Sequence, residues 1–201
     1  MNINIIGISG KKQSGKDTAA SYLEQKYGYK VLHFASALKQ IAYATRGMYV
    51  YVPEDVFPEY PDGEFLTYQF VIDRLGESAK VKVPGVRTIL QTMGTDGVRD
   101  ILGKNIWVDH IVNEIDRIIC NEPDTPGIVI PDTRFDNEAF ALLKLGGFIL
   151  NIYRDTENNS VDTHASEEGI LPELITYNIQ NKEGDKSHLY KELDSLMRSR
   201  K

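Results

Sequence analysis

Residues Gly10-Lys11-Lys12-Gln13-Ser14-Gly15-Lys16-Asp17-Thr18 have the types and spacing of a phosphate cradle. They fit G-x-x-x-x-G-K and stand between an apolar run and a helix-period segment, where such a loop works. The glycines let the backbone curl until successive N–H groups point at one anion. The helix start adds partial positive charge, and Lys16 carries a full charge to the β- and γ-phosphates of a nucleotide. Gly10, Lys12, Ser14 and Gly15 complete the loop around that lysine. Asp17 departs from the pattern, because it occupies the Ser/Thr position whose hydroxyl usually holds Mg²⁺. Two readings stay open for it. An aspartate can hold Mg²⁺ directly or through water, or it can simply sit well in the first turn of a helix dipole. Thr18 then stands ready for the α-phosphate.

A second carboxylate comes from Ile128-Val129-Ile130-Pro131-Asp132-Thr133-Arg134, an apolar strand that delivers Asp132 to its carboxyl end. In a parallel sheet that edge is where ligands bind. Asp132 there suits the orientation of Mg²⁺ or its waters, and Arg134 suits a forked contact with phosphate. The plainer alternative has Asp132 capping the next helix and Arg134 paired with Glu138. Arg87 and Gln91 lie at i and i+4, followed by Gly94-Thr95-Asp96 and Arg99. The arginines could clamp an acceptor phosphate while Gln91 reads a base edge; alternatively Gly94 ends one helix, Thr95 or Asp96 caps the next, and both arginines are solvated. Arg154 ends a strand and opens a polar loop, Asp162-Thr163-His164-Ala165-Ser166-Glu167, of the kind that closes over a nucleotide. Two leads fail. Asn181-Lys182-Glu183-Gly184 lacks the aspartate of the guanine-reading N-K-x-D, and Asp132 is not followed by x-x-Gly, which argues against a GTPase switch. No His/Asp/Glu cluster has zinc spacing, and His33 is expected in the core.

The elements that must carry these residues alternate. Ile3 to Ile8 reads as a strand covered on both faces, followed by a helix from Lys16 to Tyr27 closed by Gly28. Val31 to Phe34, Gly127 to Pro131, Phe148 to Tyr153 and Leu174 to Ile179 supply further strands, about five in all. Ser36 is the expected N-cap of a helix reaching Thr45. Helical periodicity also marks Leu66 to Leu75, Val86 to Met93, Trp107 to Ile119, Asn137 to Leu145 and a carboxyl-terminal segment with Leu189, Leu193, Leu196 and Met197. Such alternation implies an α/β fold with a parallel sheet and right-handed crossovers. The 201 residues suit a single domain with a core over about 1–48 and 106–201, a mostly helical excursion over about 49–105, and a lid over about 154–172.

Composition sets outer limits. Hydrophobic residues at 41% and charged ones at 26% exclude a disordered or collagen-like chain. A net charge of −6 argues against a protein that coats nucleic acid, yet leaves room for a compact anion met by a few local cations. No apolar run is long enough to span a bilayer, and no signal-like segment leads the chain, so the cytoplasm is the expected compartment and no membrane partner is expected. Cys120 is the sole cysteine and is expected as a small core filler.

Taken in order, Ser14-Gly15-Lys16-Asp17-Thr18, Ala35-Ser36-Ala37-Leu38-Lys39, Val86-Arg87 with Leu90-Gln91, Gly94-Thr95-Asp96, Trp107-Val108, Pro131-Asp132-Thr133-Arg134 with Glu138, and Asp162-Thr163-His164 with Ser166-Glu167 form an ordered set. On these segments the chain resembles the phage-type deoxynucleoside monophosphate kinases, a branch of the P-loop kinases. The resemblance implies a three-layer P-loop NTPase fold and transfer of the γ-phosphoryl group of ATP to a deoxynucleoside monophosphate with Mg²⁺. It also implies that Gly10 to Thr18 hold ATP, and that Ser36, Lys39, Arg87, Gln91, Thr95, Asp96, Arg99 and Arg134 surround the acceptor. Arg154 and the segment with His164 would belong to the lid, and a phage-encoded enzyme would act in the host cytoplasm. By similarity to adenylate-kinase-like enzymes, Asn178 and Asn181 would lie near adenine. Partners would be small molecules, and a homodimer is compatible with this. One departure stands out: from Asp155 to Pro172 the lid segment holds no Arg or Lys. A kinase of another phosphorylated metabolite, such as phosphomevalonate or dephospho-coenzyme A, and a non-catalytic nucleotide-binding module remain as alternatives.

Overall fold

A computed structural model describes residues 3–154, 169–182 and 186–200. In chain order it begins β1 (Asn4–Ser9), α1 (Lys16–Tyr27), β2 (Lys30–Val31) and α2 (Ser36–Ala44). Next come β3 (Tyr49–Val52), β4 (Glu64–Thr67), α3 (Tyr68–Leu75), α4 (Ala79–Lys82), α5 (Pro84–Gln91), a π-helical stretch (Thr92–Arg99) and α6 (Asp100–Leu102). The chain ends with α7 (Ile106–Asn121), β5 (Gly127–Ile130), α8 (Asp136–Lys144), β6 (Phe148–Tyr153), β7 (Tyr177–Gln180) and α9 (Lys186–Ser199). Two compact units result: Met1–Phe34 with Val108–Lys201, and Ala35–Trp107. Among the described residues no helix is long and apolar enough to cross a membrane.

In the first unit five parallel strands run in the order β2-β5-β1-β6-β7. Helices on its flanks, with the Gly10–Thr18 loop leaving the central strand β1 for α1, give the P-loop NTPase arrangement expected. The central strands are apolar without interruption because both faces are covered: Ile5, Ile6, Ile8, Ile128, Val129, Ile130, Ile149, Leu150 and Ile152 are all buried. Register pairs Gly7 with Ile130 across β1 and β5, and Ser9 with Asn151 across β1 and β6. The carboxyl ends of β1 and β5 therefore stand side by side, which is what brings the phosphate loop and Asp132 to one edge. Leu189, Leu193, Leu196 and Met197 of α9 pack with Ala19, Ala20 and Leu23 of α1 in one apolar cluster.

The second unit has its own core, in which Val50, Val52, Phe57, Tyr68, Val71, Ala79, Val83 and Val86 are buried together. Within the mostly helical excursion expected here, β3 and β4 form an antiparallel pair that was not expected, with Tyr51 opposite Phe65. Tyr49-Val50-Tyr51-Val52 alternates exposed aromatic and buried valine, the period of a half-covered strand. The helix expected from Leu66 accordingly starts at Tyr68, where the Thr67 hydroxyl accepts from the Phe70 N–H at 3.2 Å.

Other boundaries also differ. The second strand ends at Val31, because after Leu32 the next main-chain donor used, Phe34 N–H, turns to Asp132 instead of the sheet. Ser36 is the first residue of α2 and not its cap. The last strand begins at Tyr177, because Pro172–Leu174 forms a 3₁₀ turn ahead of it. Cys120 lies on the exposed side near the end of α7 and fills no core.

Candidate active site

The loop after β1 is held in a shape that its glycines make feasible. Gly10 and Gly15 have φ of 142° and 107°, a region side chains avoid. A Cβ would also overlap the Ile152 carbonyl at Gly10 and the Asn181 amide at Gly15. Lys16 Nζ donates to the carbonyls of Gly10 at 2.5 Å and Lys11 at 2.7 Å, so its ammonium lies over the loop it serves. Asn181, only 4% exposed, donates from Nδ2 to the Ser14 carbonyl at 2.7 Å while its own N–H reaches the Tyr153 carbonyl at 2.8 Å. Its amide nitrogen is thus engaged with the loop. Ser14 Oγ is buried with no hydrogen-bond partner among the described residues, an orphan polar atom of the kind a bound ligand would satisfy. Asp17 is exposed in the first turn of α1, and Thr18 is partly buried beside it.

Helix α1 is fixed far from the loop by a polar knot. Asp194 of α9 accepts from Lys26 at 2.6 Å, Tyr22 at 2.7 Å and Tyr27 at 2.8 Å, while Tyr22 stacks on Tyr190 with ring centres 4.0 Å apart. The Lys26 hydrogen bond leads in holding the Asp194 carboxyl down at about 2, and Asp194 in turn raises Lys26. Burial, then Asp194, pushes the Tyr27 hydroxyl up.

At the end of β5, Asp132 Oδ1 accepts from the Phe34 N–H at 2.9 Å, and His33 Nδ1 stands 3.9 Å away. His33, with its side chain 38% exposed, is thus beside the carboxylate and not in the core. The next residue, Thr133, is fully buried and binds back to β5 and β1 through the Ile130 and Ile8 carbonyls. Glu138, 3% exposed, accepts from the main-chain N–H groups of Arg134 at 2.8 Å and Phe135 at 3.0 Å. Expected on the helix surface as a partner of Arg134, Glu138 is instead buried and holds that residue's main chain.

For Mg²⁺ the donor set fits. Among the described residues no cluster of three or more His, Cys, Asp or Glu forms an all-protein cage. Mg²⁺ requires none, since it takes one or two carboxylates and completes its shell with water and substrate phosphates. Asp132 and Asp17 are oxygen donors of that sort, next to or within the phosphate loop. Arg154 follows β6, and its Nε is buried without a partner among the described residues. Asn178 Oδ1 accepts from Asn151 at 2.8 Å on the exposed side. His164 and the Asp162 to Glu167 segment lie outside the described residues.

The second unit carries the other candidates. Ser36 and Lys39 are on α2, Arg87 and Gln91 on α5, and Thr95, Asp96 and Arg99 in the π-helical stretch. Lys39 Nζ meets Glu77 at 2.8 Å, and Lys80 meets the same carboxylate at 3.1 Å. The Lys39 hydrogen bond leads in holding Glu77 at about 2, whereas burial, then Lys39, lowers Lys80. Arg99 is only 8% exposed and donates to the Lys104 carbonyl at 3.2 Å, so the reading of a solvated arginine is wrong for it. Neither Glu77 nor Lys80 was singled out by sequence, because an i, i+3 acid and base on a short helical stretch is an ordinary surface pattern.

A family model described as deoxynucleotide monophosphate kinase matches residues 64–193. The chain is 31% identical over 175 residues to a protein of Acanthamoeba polyphaga mimivirus described as "Putative deoxynucleotide monophosphate kinase", with 81% of this chain and 80% of the viral protein covered. Among solved structures, a dephospho-CoA kinase from Campylobacter jejuni aligns over 99% of this chain and 98% of its own at 11% identity and a TM-score of 0.44. A structure from Chloroflexus aurantiacus described as "a putative kinase" aligns over 98% and 97% at 12% identity and a TM-score of 0.47.

Proposed function

The chain belongs to the deoxynucleotide monophosphate kinase family, and from that premise we propose that it transfers the γ-phosphoryl group of ATP to a deoxynucleoside monophosphate, giving the diphosphate and ADP. The observation that carries the reading is the pairing of β1 with β5, which sets the Gly10–Thr18 loop and Asp132 on neighbouring strand ends.

An acceptor monophosphate is already a dianion near neutral pH, since its second pKa is about 6. Its oxygen attacks the γ-phosphorus in line, a new P–O bond forms, the bond to the β–γ bridging oxygen breaks, and ADP leaves with that electron pair. No general base is needed. Catalysis is then positioning and charge neutralisation. Lys16 and the loop amides hold the β- and γ-phosphates, with Asn181 keeping the loop in shape. Arg134 and Arg154 neutralise the transferred group, and Arg87, Gln91, Asp96, Lys39 and Ser36 receive the acceptor. Asp132 and Asp17 would hold Mg²⁺, which when bound neutralises charge shared between the β- and γ-phosphates. ATP and nucleotides as substrates put the reaction in the cytoplasm, that of the host if the gene is viral.

A coupled assay of ADP release over all deoxynucleoside and ribonucleoside monophosphates tests this. Acceptor-stimulated turnover, greater with deoxynucleotides, is the expected result. Background ATPase activity with every acceptor would refute it.

A further inference from the structure

A 3₁₀ turn (Gly76–Ser78) and the short helix α4 link α3 to α5. On this link Glu77 and Lys80 lie three residues apart, and such a pair alone is an ordinary surface contact that contributes little. The third member is not local. Lys39 of α2, 38 positions earlier, brings its Nζ to 2.8 Å from Glu77 Oε1, while Lys80 Nζ stands 3.1 Å from Oε2. Two ammonium groups from separate helices thus divide the two oxygens of one carboxylate. Exposure is uneven across the three. The Glu77 side chain is 76% exposed, against 31% for Lys39 and 37% for Lys80. The cations are packed into the surface, and the anion is the member most open to water.

We propose that Lys39 and Lys80 together form one seat for the phosphate of the acceptor monophosphate, and that Glu77 occupies this seat until the acceptor arrives. Two oxygens on one phosphorus are spaced much like two oxygens on one carbon. A pair of cations set to divide a carboxylate is therefore also set to divide a phosphate. Charge favours the exchange. Two ammonium groups facing one carboxylate leave a positive charge over, whereas a phosphate dianion cancels both. Burial, then the neighbouring Lys39 ammonium, lowers Lys80, and a second negative charge relieves that like-charge contact. Glu77 leaves readily, because a mostly exposed carboxylate returns to water with little loss. Lys39 is an acceptor candidate by resemblance; Lys80 is its new partner, and Glu77 is an internal competitor. The surrounding elements agree, since α5, which carries Arg87, packs against both α2 and α4.

The seat rests on the proposed acceptor, so the experiment separates the two. Acceptor KM, ATP KM and kcat are measured for wild type, Lys80→Met, Glu77→Gln and Lys82→Ala, with the deoxynucleoside monophosphate that wild type turns over best. Lys82, exposed two residues beyond Lys80, controls for the loss of a charge from α4. Thermal melts of each protein report folding. Lys80→Met should raise acceptor KM about tenfold. Glu77→Gln, which removes the competitor, should lower it about twofold to fivefold. Lys82→Ala should match wild type, and ATP KM should hold steady in all three. A purely structural triad gives the opposite sign at Glu77: Glu77→Gln melts lower, and its acceptor KM is unchanged or raised, which overturns the seat. Should Lys80→Met fold poorly, that sign at Glu77→Gln still decides. Wild type inactive on every monophosphate would remove the proposed function itself. An active wild type with Lys80→Met at normal acceptor KM overturns only the seat.

Discussion

Asn181→Ala separates two roles for one residue. By resemblance Asn181 belongs near adenine, whereas its side-chain amide is buried and bound to the Ser14 carbonyl at 2.7 Å. Truncation leaves that carbonyl without its donor inside the fold, at a cost of about 1–3 kcal/mol. For a chain of this size about 2 kcal/mol lowers the melting temperature by roughly 4–8 °C. The same loss loosens the loop whose amides receive the phosphates, and each 1.4 kcal/mol that must be restored on binding weakens a nucleotide about tenfold. The assay is therefore a donor panel. KM is measured for ATP, GTP and dATP as donors, with calorimetry for ADP and GDP and a thermal melt of each protein. If Asn181 shapes the loop, all nucleotides weaken by a similar factor, because the phosphates are common to them. If it reads adenine, ATP and ADP weaken while GTP and GDP do not. Unchanged melting temperature together with an adenine-selective loss would refute the reasoning.

Glu138 provides a parallel case on the other strand. Glu138→Ala removes the acceptor of two part-buried main-chain N–H groups and should cost roughly 1–3 kcal/mol with a large fall in kcat; Glu138→Gln keeps one acceptor oxygen and should retain most of both, and equal melts for the two variants would contradict this. Asp194 titrates at about 2 in the folded chain against an ordinary 3.8, so the unfolded chain takes up that proton first. Its contribution is complete above about pH 4 and fades as pH falls toward 2; Asp194→Asn should lower the melting temperature at neutral pH and flatten its decline across that acid range, and an unaltered slope would count against the knot. Arg87→Ala should raise acceptor KM for every base, while Gln91→Ala should change the order of preference among bases. Wild-type kinetics in both would remove α5 from the acceptor site.

Much of the catalytic half was legible because its signals are local. The G-x-x-x-x-G-K spacing, the unbroken apolar strand before it and the apolar run ending at Asp132 each concern neighbours in sequence, and a doubly covered parallel sheet leaves few alternatives for where such strand ends lie. Gly28 as the residue closing α1 was legible for the same reason, its N–H bonding back to the Glu24 carbonyl. The hairpin of β3 and β4 was not. Its alternation lasts only four residues on β3 and is missing from β4, and its partners are joined across a proline-rich stretch that mimics a loop.

The residues that escaped reading share one property: their task is set by a partner distant in sequence or by the backbone of another segment. Asn181 serves Ser14 across 167 positions, Tyr22 reaches Asp194 across 172, and Phe34 steadies Asp132 across 98 through a main-chain N–H that has no side-chain signature. Residue type does not separate such an asparagine from one that touches a base, because both present the same amide. What separates them is whether the amide is already used. A loop built on left-handed glycines must be braced from outside, since its curled backbone satisfies few of its own carbonyls. The brace must also be buried, or water would compete for the same carbonyl. A buried polar side chain bonded to a phosphate-loop carbonyl is thus a physical requirement of the loop, and at Asn181 this chain meets it.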